Sequence, residues 1–222
     1  MPDNLSAVDP VSADSSMILQ SQLRAMFELQ DKMNTRVNED WRSQGFAWYR
    51  AIWTECAETL DHYGWKWWKK QDPDRDQVLM EIVDIWHFGL SILLLEGAEI
   101  EHVAAQLASS DSKDFNIEDF RELLEDFTAA TLITKSFDVQ KFRRLMTALK
   151  MSNDDLYRQY IGKNVLNFFR QDHGYKAGTY IKVWGDQEDN EHLVDALTAM
   201  DASSPDFANA LYAELENRYP DS

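Results

Sequence analysis

The chain has 222 residues, 44% of them hydrophobic and 12% aromatic, enough to bury a core in one large domain or two small ones. A formal net charge of −17 argues against general binding to nucleic acid or to an anionic membrane, although a metal and a local basic cluster can reverse the sign at one site. The single cysteine, Cys56, forbids an internal disulfide and fits a reducing compartment, so a cytoplasmic location is expected.

Residues 1–16 are rich in Ser, Asp and Pro and lack the basic and apolar regions of a signal peptide. They read as a disordered lead-in, which leaves 17–222 as one domain. A first helix is expected over about 17–37, where Leu19, Leu23, Met26, Phe27, Gln30 and Met33 keep close to a 3.6-residue period. A second runs over about 46–63 and stops at Gly64. The connection over 65–72 is aromatic and basic and ends at Pro73, a residue suited to starting a helix. The third helix covers about 74–96 and closes at Gly97. A continuation or short fourth helix follows over 99–110, overlapping a polar loop at 109–114. Further helices are expected at 117–134, 138–150 and 152–171. An ordered loop rich in Gly, Tyr and Lys covers 172–190, then helices return at 190–200 and 204–218. Strand alternation and fixed-period repeats are absent, so the fold class is all-α, a multi-helix bundle.

Two acidic pairs stand out: Glu55 with Glu58, and Glu81 with Asp84. Each is spaced i, i+3, which places both carboxylates on one side of a helix. On the second helix they extend the stripe begun by Trp48 and Ala51; on the third they fall between Gln77 and Phe88. Both pairs therefore point toward a core, the alternative being two solvated acidic faces. The second pair lies in 78–95, a stretch whose only ionisable side chains are Glu81, Asp84 and His87. That stretch is near the length of a membrane span, but two acids in lipid would be costly, and a buried helix is the better reading. Buried carboxylates need compensation. Four of them on two facing helices would be compensated by a hard divalent cation such as Mg²⁺, while no Cys or His pair has zinc spacing. His87 by itself reads as a packed core histidine or a substrate contact.

Between Lys141 and Lys182 the chain turns basic, with nine Lys or Arg against three Asp. Lys163, Arg170, Tyr175 and Lys182 bracket a helix end and a glycine-containing loop, where such groups can converge on phosphate oxygens. Alone they would be a solvated basic face; next to a metal they match a polyphosphate. The run Trp65-Lys66-Trp67-Trp68-Lys69 offers stacking surface beside charge, or ordinary packing. Gln30 and Asn34, at i, i+4, can read a base edge or be plain surface amides.

Taken together these motifs resemble the all-α dimeric dUTPase family, within the wider MazG-like all-α NTP pyrophosphohydrolases. The resemblance rests on 29–34, the Glu55/Glu58 pair, 65–69, the segment from Glu81 through Asp84 to His87, and the block from Tyr160 through Lys163, Asn167, Arg170 and Tyr175 to Lys182. It closes on Glu188-Asp189-Asn190 and covers about 17–195 in order. The acidic pairs indicate only the superfamily; the C-terminal block narrows it.

The resemblance implies Mg²⁺-dependent hydrolysis of dUTP, and of dUDP, to dUMP, with Mn²⁺ able to substitute. Pyrophosphate would leave dUTP, limiting uracil incorporation into DNA and supplying dUMP. It places the metal on Glu55, Glu58, Glu81 and Asp84, with Glu55 or Glu58 taking the proton of the attacking water. It places phosphate on Lys163, Arg170, Tyr175 and Lys182 with Asn190 nearby, and base and sugar near Gln30, Asn34, Trp68, His87 and Asn167. It also implies a homodimer, with no nucleic acid or membrane as partner. Two rivals remain at this level: a related enzyme preferring dCTP or accepting dNTPs broadly, and a non-catalytic acidic helical interaction protein.

Overall fold

The computed structural model describes residues 10–110, 115–200 and 206–220. Helix α1 (Pro10–Val37) starts on proline, whose missing N–H would have no intrahelical partner at a first position. It therefore begins at Pro10 and not at 17, and 10–16 are helical where a disordered lead-in was expected; 1–9 lie outside the described residues. A 3-10 turn, Trp41–Ser43, leads to α2 (Trp48–Tyr63), and an irregular connection leads to α3 (Arg75–Glu96). Asp74 caps α3 by accepting the Gln77 N–H at 3.2 Å, and Gly97 closes it in the left-handed conformation at φ +67°.

Helix α4 (Ile100–Ala108) follows, and the expected polar loop falls partly outside the described residues. A 3-10 turn (Ile117–Asp119) precedes α5 (Phe120–Thr134), and α6 (Val139–Ala148) and α7 (Asn153–Asp172) complete the larger bundle. Ser152 and Asp155 cap α7 reciprocally, each side chain accepting the other's backbone N–H.

The expected loop over 172–190 is more structured than anticipated. It holds a 3-10 turn (Tyr175–Ala177) and two short antiparallel strands, β1 (Val183–Trp184) and β2 (Gln187–Glu188), turned at Gly185 with φ +66°. This hairpin is a small addition to the all-α class, in a segment expected to be an ordered loop. Two residues per strand are too few for alternation to show in a sequence. Helices α8 (Asp189–Ala199) and α9 (Phe207–Arg218) end the chain, and the described residues are all-α apart from the hairpin.

Helix α3 is the axis of the larger core, burying Val78, Ile82, Val83, Ile85, Trp86 and Leu90. It packs most extensively on α2, and its Trp86 ring stacks on Phe142 of α6 at 5.2 Å. By length and composition α3 could cross a membrane, yet 72% of its most apolar stretch is buried inside the protein. A second core gathers Val165, Leu166 and Phe169 of α7 with Trp184, Leu193, Leu211 and Leu215. Helix α7 spans both cores, because its first half carries Leu156 and Tyr160 into the larger one. The basic segment is thereby fixed against the acidic helices.

Candidate active site

The packing of α2 on α3 brings Glu55, Glu81 and Asp84 together, each offering an oxygen within 4.8 Å of the others. Glu81 is only 6% exposed. Burial first, then the neighbouring carboxylates with Asp84 foremost, holds Glu55 and Glu81 well above the usual carboxylate range, and the two share a hydrogen bond. Like charges this close cannot all ionise without a cation among them. Three hard oxygen donors in a half-buried setting fit a divalent ion such as Mg²⁺, Mn²⁺ or Ca²⁺, and no thiolate takes part. Glu58 stands apart from this cluster: one turn beyond Glu55 it is exposed and borders a neighbouring cavity.

The positive side of the site comes from α7 and from the hairpin and helix α8 after it. Lys163, 2% exposed, sets its Nζ 2.7 Å from Asp84 Oδ2 and donates to Asn190 Oδ1 at 2.9 Å. Arg170 donates from Nε and Nη2 to the two oxygens of Asp189, both at 2.8 Å, and its guanidinium lies 5.9 Å from the Tyr175 ring centre. Lys182 pairs with Glu188 at 2.9 Å on the exposed hairpin. Each of the three expected phosphate cations is thus held by an acid of the protein itself.

Two cavities flank the carboxylates. One, of about 420 Å³, is bordered by Glu55 and Asp84 and by Gln30, Asn34, His87, Lys163, Asn167, Arg170 and Tyr175. The other, of about 460 Å³, is polar and carries Glu58, Glu81, Lys182 and Asn190 with His62, whose Nε2 is 3.7 Å from Glu81. Thirteen of the fourteen expected site residues therefore border one cavity or the other. Trp68 does not. It lies on the α2–α3 connection, 57% exposed, edge-on to Trp65.

The aromatic wall of the first cavity is instead Trp41, Phe46, Trp48 and Phe88, with Trp48 packed edge-on against Trp41 and Phe46. Sequence reasoning missed this wall. Trp48 and Phe88 flank the acidic pairs on their own helical stripes, and that adjacency was the available signal.

Gln30 and Asn34 are not surface amides: they are 4% and 5% exposed. Gln30 Nε2 donates to Asn34 Oδ1 and to Ser91 Oγ, while its Oε1 accepts from His87 Nδ1 at 2.8 Å and shares the Tyr160 hydroxyl proton with the Met26 carbonyl. Both ends of Gln30 are therefore engaged within the protein, whereas Asn34, which also donates to Ser91, keeps one N–H and one acceptor place. An amide oxygen only accepts, so His87 carries its proton on Nδ1 and presents Nε2 as an acceptor with no partner among the described residues. Burial pushes His87 down to about 3, so the ring is neutral at physiological pH. It stacks on Tyr160 at 4.2 Å.

Chemically, the arrangement can hold a divalent ion on three carboxylates, beside an aromatic-walled cavity and within reach of basic side chains. No curated protein matches the chain. The family model described as dUTPase does match, over residues 22–175, which is more than half of the chain and includes both acidic pairs, Lys163, Arg170 and Tyr175. The chain belongs to the all-α dUTPase family and is a dUTP diphosphatase, a hydrolase acting on phosphoric anhydrides.

Proposed function

We propose that the enzyme is Mg²⁺-dependent, accepts dUDP as well as dUTP, and releases dUMP in both cases, with Mn²⁺ able to replace Mg²⁺. The carrying observation is the cluster of Glu55, Glu81 and Asp84, set between an aromatic cavity and a polar one. The base and sugar occupy the first and the phosphates run past the carboxylates toward Lys182. Glu55, Glu81 and Asp84 would hold the Mg²⁺, which when bound would supply a lowered pKa for the attacking water and positive charge for the phosphoryl oxygens.

The protein's own groups do the rest. Glu58, outside the ligand set and open to the polar cavity, takes the proton of the attacking water. Lys163, Arg170 and Lys182 turn toward the phosphates, and Tyr175 covers Arg170. Asn34 bonds the uracil edge with its remaining donor and acceptor, while Gln30 holds Asn34, His87 and Tyr160 in place. His87, which borders the cavity with Tyr160 stacked on it, lies beneath the sugar and disfavours a 2′-hydroxyl. We also read the enzyme as a cytoplasmic homodimer.

Nucleoside monophosphate formation should be followed with dUTP, dUDP, dCTP, dTTP and UTP, with Mg²⁺ and with EDTA; pyrophosphate is the second product from dUTP and orthophosphate from dUDP. Turnover of dUTP and dUDP only, abolished by EDTA, is expected; equal turnover of dCTP would transfer the enzyme to a cytosine or broad specificity. Glu81→Gln should lower turnover about 10³-fold or more, and a near wild-type rate would sink the metal assignment.

A further inference from the structure

Asp189 is the most deeply buried acid in the site, 0% exposed, and no step above uses it. It opens α8, where the positive end of the helix favours a carboxylate. Its Oδ2 accepts from Arg170 Nε and from the Tyr180 hydroxyl, and its Oδ1 accepts from Arg170 Nη2, all at 2.8 Å. Its backbone N–H donates to the Lys182 carbonyl at 2.9 Å, and the next residue, Asn190, bonds Lys163. One side chain and its backbone thus tie together α7, the hairpin and α8, which carry the phosphate-binding cations.

We propose that Asp189 is a positioning residue that aims Arg170 at the substrate's phosphates without touching the nucleotide itself. The proposal rests on the reading of Arg170 as a phosphate group's partner. Side-on pairing uses two of the five guanidinium N–H groups. The remaining edge makes only loose contacts at 3.3 Å, from Nη1 to Asn167 and from Nη2 to Asn190, and Arg170 borders the nucleotide cavity. A long side chain left unpaired would have to be ordered by each incoming phosphate, at an entropic cost that lowers affinity. An ion pair taken largely out of water is a weak source of stability compared with apolar packing, so orientation is the better account of this one, whose arginine still reaches the cavity. Tyr180 fixes the carboxylate in turn and completes its acceptor set.

The test is calorimetric binding of a non-hydrolysable α,β-imido dUTP analogue with Mg²⁺ to four proteins: wild type, Asp189→Asn, Arg170→Ala and the double variant. Asp189→Asn should weaken binding about tenfold to a hundredfold, and should add nothing in the Arg170→Ala background. Wild-type affinity in Asp189→Asn, or an additive loss in the double variant, overturns the proposal. If Arg170→Ala itself binds as wild type, the phosphate reading of Arg170 fails instead. Should Asp189→Asn not fold, Tyr180→Phe removes only one bond to the same carboxylate. A loss of about threefold that vanishes beside Arg170→Ala is then expected, and an equal loss in both backgrounds overturns the proposal.

Discussion

At the scale of single residues, the carboxylate cluster sets a pH signature that can be measured without substrate. Glu55 has its folded value raised, chiefly by burial and then by Asp84. Its contribution to stability is therefore fully present in acid, below the ordinary carboxylate range, and is lost as pH rises through the raised value. In EDTA, the melting temperature of the wild type should fall relative to Glu55→Gln as pH rises from the ordinary carboxylate range toward about 9. Mg²⁺ should erase the difference, and parallel curves in EDTA would contradict the electrostatic picture. Lys163 gives a second signature. Its ammonium, 2.7 Å from Asp84, occupies the electrostatic role of a metal when none is bound. Lys163→Met should bind Mn²⁺ about tenfold more tightly in the absence of nucleotide, read by calorimetry, while binding the imido analogue less well. Unchanged Mn²⁺ affinity would show that the lysine and the ion do not compete.

At the scale of elements, α3 carries the site because its sides are occupied so differently. Glu81 and Asp84 face α2 and Lys163, while Trp86 and Gly89 receive the aromatic rings of the larger core. A Cβ at Gly89 would meet Phe137 Cε2 at 2.4 Å, so the ring lies directly over the helix backbone. Alanine at a helix interior normally gains about 1 kcal/mol over glycine. Here overpacking should outweigh it, so Gly89→Ala is expected to destabilise by about 1–3 kcal/mol in urea melts, with catalysis per folded molecule little changed. A stabilised variant would mean that Phe137 moves aside freely. The helical spans themselves were legible from apolar periodicity, because a 3.6-residue repeat is a local property. The 183–188 hairpin was not, since two-residue strands carry no period and depend on Gly185 and on Trp184 packing into the second core.

At the scale of the molecule, several large apolar side chains remain outside the single-chain core, among them Trp53, Trp67 and Ile133, at 40%, 90% and 82% exposure. Burying such surface is a strong drive to association. The solution mass by light scattering should be twice the 25.8 kDa of one chain, and a monomer at micromolar concentration would count against the homodimer.

The amino-acid sequence by itself determined the helices, the two acidic pairs, the basic block and the family, because each is a matter of residue type and spacing along the chain. Tertiary structure decided which of those groups meet. Helix spacing turned Glu55, Glu81 and Asp84 toward the interior, and the packing of α2 on α3 joins them, while Glu58, expected on the same inward face, is exposed at the polar cavity's edge. It set Gln30 in a buried network with Asn34, His87 and Ser91, left Trp68 outside both cavities, and gave the aromatic wall to Trp41, Phe46, Trp48 and Phe88. It also buried Asp189 against Arg170. A sequence records the direction of a side chain around its own helix. Convergence between helices depends on where they cross and on what fills the space between them, which only the packed core specifies.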